Sequence, residues 1–287
     1  MSLPIPYGRH CIEEDDVRAV VNTLRSEHLT GGPIVEVFEK AFANYVGARY
    51  AVAVSSGTAG LHLAYLSLGL CPGMTVIVPT ITFLATANAA VFSGANVVFS
   101  DVNPETGLMG VSELTEALDR AESKVDVVCV VHLNGQTADM EGIEKICSKE
   151  GIKIIEDSCH ALGGEYQTTG DQWRRTGSCY HSEISVFSTH AVKNIAMGEG
   201  GLVTTNSPQI YESLCRLRNH GIVRDPRAFI NTEEGLNRNG EPNPWYYEMH
   251  DLGYNYRVSA ISCALGNSQL SKLDGFTCSI TKSNNGF

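Results

Sequence analysis

The sequence predicts an α/β fold: a mainly parallel, seven-stranded sheet with helices on both faces. Three observations predict it. Seven short apolar runs of strand length recur between Tyr50 and Asn206. Helical segments separate the earlier runs, which is the rhythm of a doubly wound sheet. Most runs are rich in Val and Ile, as strands buried on both faces are.

Two helices come first. In EEDDVRAVVNTLRS (Glu13–Ser26), Val17, Val20, Val21 and Leu24 fall on one face, and LTGGP breaks the pattern. VEVFEKAFANYVG then carries Val37, Phe38, Phe42 and Tyr45 at helical spacing. Strands are expected at 50–55, 75–79, 96–101, 125–132, 152–157, 184–188 and 201–206. Helices are expected over Ala59–Leu68, Thr82–Phe92, Val111–Ala121 and Met140–Lys149. After Gly221, RDPRAFINTEEGLNRNGEPNP is polar and full of Pro, Gly and Asn, which reads as a long loop or arm. The aromatic segment WYYEMHDLGYNYR follows, and then a helical stretch to Leu273. The expected division is a large domain over 1–221 and, over 222–287, an arm with the start of a smaller unit.

The chain of 287 residues is 43% apolar, enough for a sizeable core, and its net charge is −11. No basic block occurs, which excludes a surface that tracks nucleic-acid phosphates. An anionic small ligand remains open, because backbone N–H groups hold phosphate without net positive charge. The nine cysteines form no CxxC pair; they read as free thiols in a reducing cytosol, with neither a metal site nor a disulfide frame. There is no signal-peptide pattern and no run near the ~20 apolar residues that span a bilayer. A cytoplasmic location without a membrane partner is expected.

Ligands of open α/β sheets bind beyond the carboxyl ends of the strands. Three strand ends carry chemistry. The first opens SSGTAGLHLA, where Gly57 and Thr58 start a helix behind two serines. Free N–H groups, the helix dipole and hydroxyls make a phosphate cradle there, although an ordinary Ser or Thr cap reads equally well. The strand IKIIED ends in Asp157, a carboxylate that needs a cation if buried. FSTHAVKNIAMGEGG places Lys193 beside apolar Val192 and before three glycines. A lysine amine to condense with an aldehyde, a carboxylate for a pyridinium nitrogen and a phosphate cradle are together what pyridoxal 5′-phosphate (PLP) requires.

The segments SSGTAGLHLA, PTITFLATANAA, EDSCHALGGEY, SVFSTHAVKNIAMGEGG and LGYNYRVSAISCALGNSQL resemble the signature segments of the DegT/DnrJ/EryC1/StrS family of nucleotide-sugar aminotransferases. The resemblance runs from about Ile5 to Phe276. IPYGRHCIEEDD, RNHGIVRDPRAF and PWYYEMHDLGYNYR are most similar to the pseudaminic-acid branch, which aminates C4 of a UDP-linked 4-keto-6-deoxy-N-acetylhexosamine. The resemblance implies the PLP-dependent transferase fold of type I, with glutamate as amino donor. It implies that Lys193 bears the cofactor and shuttles the proton, and that Asp157 meets the ring nitrogen. His160 falls near the ring's phenolic oxygen and Phe83 stacks on the ring. Gly57, Thr58 and Ser188 meet the phosphate. Asn255 reaches the phosphate of a neighbouring subunit, so a homodimer with shared sites is implied. Tyr7, Glu27, His28, Leu29 and Thr30 match substrate contacts. Two departures stand out. Ala260, Ile261 and Ser262 replace an Asp–Ile–Gln triplet, and the match stops near Phe276, where relatives continue into most of a small C-terminal domain. The alternatives are a truncated, inactive paralogue that binds PLP or a partner subunit, an aminotransferase for a different keto-sugar nucleotide, and a plain sugar-nucleotide binding module.

Overall fold

The computed structural model describes residues 8–276. Two helices, α1 (Glu14–Leu24) and α2 (Pro33–Val46), lead into β1 (Tyr50–Val54) and α3 (Gly57–Ser67). The alternation continues through β2 (Thr75–Pro79), α4 (Leu84–Phe92), β3 (Asn96–Ser100), α5 (Val111–Arg120), β4 (Val127–Val131), α6 (Met140–Glu150) and β5 (Lys153–Asp157). A hairpin, β6 (Glu165–Thr168) and β7 (Gln172–Arg175), precedes β8 (Ile184–Ser188), β9 (Gly201–Thr205) and α7 (Pro208–Arg218).

All seven expected strands form one sheet, in the order β1-β9-β8-β5-β4-β2-β3. Only β9 runs against its neighbours. Side chains alternate between two buried faces. Val52 and Val54 of β1, with Val127 and Cys129 of β4, meet α3, α4 and α7. Ala51 and Ala53 pack on the opposite face under α2, where Val128 and Val130 meet α5 and α6. The double-sided burial is why the middles of these strands are mostly Val, Ile and Ala, and why the polar residues they do carry, such as Glu156 and Thr204, are hydrogen-bonded.

The polar segment after Gly221 is less featureless than its composition suggests. Ile222–Val223 (β10) pairs with Glu248–Met249 (β11), and Thr232–Gly235 (α8) lies between them. The carboxylate of Glu248 accepts from the backbone N–H groups of Ile230 and Asn231, which ties the arm together. The chain then returns as α9 (Ala260–Leu270), packed against α1 and α2.

The helix α1 forms where expected, yet Val17 and Leu24 of its apolar stripe stay exposed. A polar residue turns inward instead. Asp16 is fully buried and accepts from Ser268 Oγ, Gln269 Nε2 and Lys272 Nζ at 2.6–2.7 Å. Burial opposes the ionised form of Asp16, but these three donors outweigh it and hold the carboxyl below its usual range.

Candidate active site

A cleft of about 670 Å³ opens at the carboxyl ends of β1, β2, β4, β5 and β8. It brings together Gly57, Thr58, Phe83, Asp157, His160, Ser188 and Lys193, which are drawn from four separate segments.

At one wall, Ser56 caps α3 by accepting from the Ala59 N–H at 3.1 Å. Gly57 and Thr58 follow as the first helical residues, whose N–H groups have no partner within the helix. A side chain at position 57 would crowd its neighbours. An added Cβ would lie 3.0 Å from Ser188 Cβ and 3.2 Å from Cys159 Sγ.

Asp157 closes β5 and is buried. Its Oδ2 accepts from Thr86 Oγ1 at 2.7 Å and its Oδ1 from the Cys159 N–H at 3.2 Å. Thr86 is linked in turn to Thr82, 2.7 Å away. Among the described residues Asp157 has no ion pair, so a buried carboxylate faces the cleft with neutral donors alone.

Lys193 lies on the connection between β8 and β9. Its N–H donates to His190 O at 2.8 Å. The loop is held at its base by Thr189 N–H to Gly200 O (3.0 Å) and Met197 N–H to Thr189 O (2.9 Å), and from below by Ala196 N–H to Gln269 Oε1 (3.4 Å). Gly201 lets β9 start close to α3: a Cβ there would sit 2.7 Å from both Phe187 O and the Ser56 carbonyl carbon. That close approach explains part of the glycine run after Lys193.

His160 is half-buried and its Nδ1 accepts from the Asn134 N–H at 3.3 Å. Burial, and then the nearby charge of Lys193, lower its pKa below the ordinary 6.5. Phe83, the N-cap residue of α4, leaves 70% of its surface exposed against the cleft, where core packing would have hidden it.

The remaining expected residues lie elsewhere. Asn255 is exposed, outside the cleft wall, with its backbone bridged to Asn219. Glu27, His28, Leu29 and Thr30 are also exposed and line no part of the cleft. Their segment is pinned to α9, where Leu29 O accepts from the Ala260 N–H at 3.0 Å. Tyr7 lies outside the described residues. Sequence reasoning missed Thr86, which stands 71 residues from the carboxylate it holds; a hydroxyl inside a helical pattern gives no sign of that contact. It also missed Cys159 and Asn134, which line the cleft.

No group of His, Cys, Asp or Glu suited to a metal ion occurs among the described residues. No helix among them is long and apolar enough to cross a membrane. The eight described cysteines are free; Cys278 lies outside the described residues.

A mainly parallel sheet that presents a lysine, a buried carboxylate and an open helix N-terminus at adjoining strand ends is the arrangement of PLP-dependent aminotransferases. The comparisons agree. The profile of the DegT/DnrJ/EryC1/StrS aminotransferase family matches residues 10–282, and the chain belongs to that family. It is 36% identical over 270 residues to the UDP-4-amino-4,6-dideoxy-N-acetyl-beta-L-altrosamine transaminase of Campylobacter jejuni, covering 94% of this chain and 65% of the relative. It is 35% identical to the spore coat polysaccharide biosynthesis protein SpsC of Bacillus subtilis, covering 94% and 64%. Among solved structures, the chain is similar to Helicobacter pylori PseC, an aminotransferase of pseudaminic acid biosynthesis. The TM-score is 0.81 at 29% identity, over 94% of this chain and 66% of that one. The PLP form of the putative sugar aminotransferase Spr1654 of Streptococcus pneumoniae gives a TM-score of 0.80 at 27% identity, over 94% and 67%. The chain therefore spans about 65% of the length of the curated relatives it matches. Aminotransferases of this family use PLP.

The cleft suits that cofactor by its donor set. It holds an amine in Lys193, hydroxyls and amides at Ser56, Gly57, Thr58 and Ser188, and an unpaired buried carboxylate in Asp157.

Proposed function

We propose that the protein is a PLP-dependent aminotransferase that moves an amino group from glutamate to a nucleotide-linked 4-keto-6-deoxy sugar. The substrate class that fits best is a UDP-linked N-acetylhexosamine of the pseudaminic acid pathway, as the relative from C. jejuni suggests. The observation that carries the reading is the convergence of Lys193, Asp157 and the N-terminus of α3 on one cleft.

In this reading the α3 N-terminus, with Thr58 and Ser188, holds the phosphate. Lys193 would hold the cofactor through its Nζ, and the same amine would take and return the proton of the substrate. Asp157, held by Thr86 and the Cys159 N–H, keeps a proton on the ring nitrogen. Phe83 offers its open face for stacking and excludes water from one side of the cleft. The cofactor supplies the electron sink for breaking a Cα–H bond. Asn255, exposed on a single chain, is assigned to the cleft of a second subunit in a homodimer. Glu27–Thr30 and Tyr7 are assigned to substrate on resemblance alone. The enzyme is placed in the cytoplasm.

The test is direct. The purified protein loaded with PLP is reduced with borohydride and digested. The pyridoxyl group is expected on Lys193; recovery on Lys40, Lys145 or any other lysine refutes the assignment. A screen of keto-sugar nucleotides with glutamate then identifies the acceptor, and turnover with none of them overturns the proposed substrate class.

A further inference from the structure

A polar chain that the proposed chemistry does not use runs behind the cleft. Glu156, one residue before Asp157, faces the opposite side of the sheet and is fully buried. Its Oε2 lies 2.9 Å from His132 Nε2, and its Oε1 accepts from the Ser182 hydroxyl. His132 follows β4, is fully buried and lines the cleft.

Hydrogen-bond bookkeeping fixes the protons. The Ala138 N–H reaches His132 Nδ1 at 3.2 Å. A backbone N–H only donates, so Nδ1 carries the lone pair and the proton of His132 sits on Nε2, donated to Glu156. The same logic holds for His160. The Asn134 N–H reaches its Nδ1, so a neutral His160 carries its proton on Nε2. Among the described residues that Nε2 has no hydrogen-bond partner. The lowered pKa of His160 agrees with a neutral ring.

The two histidines are joined by a constrained turn, Leu133–Gly135. Asn134 takes a left-handed conformation there (φ 54), which asparagine tolerates better than most residues with a side chain. Hydrogen bonds hold the turn. The His132 N–H donates to Asp157 O at 3.1 Å, the Gly135 N–H to His132 O at 3.2 Å, and the imidazole closes the segment by taking the Ala138 N–H.

We propose that His132, anchored by Glu156, is a positioning residue: it closes the 132–138 segment, aims the Asn134 N–H at His160, and so locks His160 as a neutral Nε2–H donor available to an acceptor in the cleft. The proposal rests on the cleft being the cofactor site. There, a fixed neutral donor serves an anionic oxygen of the bound group without adding a positive charge beside Lys193.

The test reads tautomers, not turnover. Long-range ¹⁵N NMR of histidine-labelled protein without cofactor separates protonated from bare ring nitrogens; single substitutions assign His132 and His160. Both rings are expected to show a bare Nδ1 and a protonated Nε2. A protonated Nδ1 on His160 in the parent protein overturns the proposal at once. His132→Gln keeps an amide N–H for Glu156 but loses the acceptor for Ala138. In that variant the single-tautomer pattern of His160 is expected to give way to averaged shifts, and the visible band of bound cofactor to move. His132→Asn restores an acceptor near the Nδ1 position and is expected to recover the parental pattern. A folded His132→Gln protein with an unchanged His160 pattern and band overturns the positioning role. If the variants do not fold, the parent spectrum still decides whether His160 is the Nε2–H donor. A parent with the assigned tautomers but no cofactor band would count against the cofactor reading and leave the relay standing.

Discussion

Thr86→Val removes the hydroxyl that donates to Asp157 Oδ2 and changes little else in shape. Thr86 is fully buried, and the 2.7 Å contact is one of two donors on the carboxylate. A hydrogen bond to a charged group contributes about 1.5–3 kcal/mol. The new methyl takes the place of the hydroxyl between the Asp157 carboxylate and the Thr82 hydroxyl, so the Thr82 bond is lost as well and burial offers no offset. The expected net loss is about 1.5–3 kcal/mol. The bond from Tyr65 Oη to Thr86 O survives, because it uses the backbone. At about 2.1 cal/mol/K of unfolding entropy per residue, that loss lowers Tm by about 2.5–5 °C. Urea titration and thermal melts of the cofactor-free variant at pH 7 measure it, and dialysis against PLP measures retention. The freed carboxylate should turn from its present direction, so retention should fall as well. Stability and retention both equal to the parent's would refute the view that Thr86 holds Asp157 in place.

Two further outcomes follow from other parts of the molecule. His62 is buried, and burial lowers its pKa from 6.5; the folded state therefore resists a proton that the unfolded chain accepts, so its contribution is present above about pH 6.5 and is lost as pH falls. Stability against urea should decline as the pH falls below about 6.5, and His62→Phe should flatten that slope; an identical slope in the variant contradicts the assignment. Asn255→Ala should weaken PLP binding without changing monomer folding, and dilution of the parent should weaken it too; a chain that sediments as a monomer yet binds PLP tightly removes the shared-site reading.

The sheet was legible because its signal is local and redundant. Seven short apolar runs, most of them hidden on both faces and only the edge strand β3 partly exposed, cannot be placed in many other ways. Gly57, Asp157 and Lys193 could be referred to one cleft because they sit at or just beyond strand ends, where sequence position nearly dictates spatial position; Ser188 came from the family resemblance alone. Helix α1 shows where such reasoning stops. Its periodicity marks a helix, but the buried face was decided by Asp16 meeting Lys272, a partner 256 residues away. The hairpin β6–β7 escaped because QTTGDQWRR is polar and short, with no apolar run to mark its strands. Thr86, His132 and Glu156 were invisible for a related reason: each looks like an ordinary member of its element until the fold supplies the second half of its hydrogen bond.

The bond from the Ala196 N–H to Gln269 has a consequence for how the protein is made. The loop that carries Lys193 takes its lower support from a residue 73 positions further along the chain. During synthesis at about 5–20 residues per second, the loop emerges roughly 4–15 s before that support exists. Asp16 waits still longer, since its buried partners arrive with the same helix. Capture of a cofactor by the nascent chain is thus timed by α9: the first strands and the lysine are in place early, but the loop gains its lower support only when that helix packs beneath it.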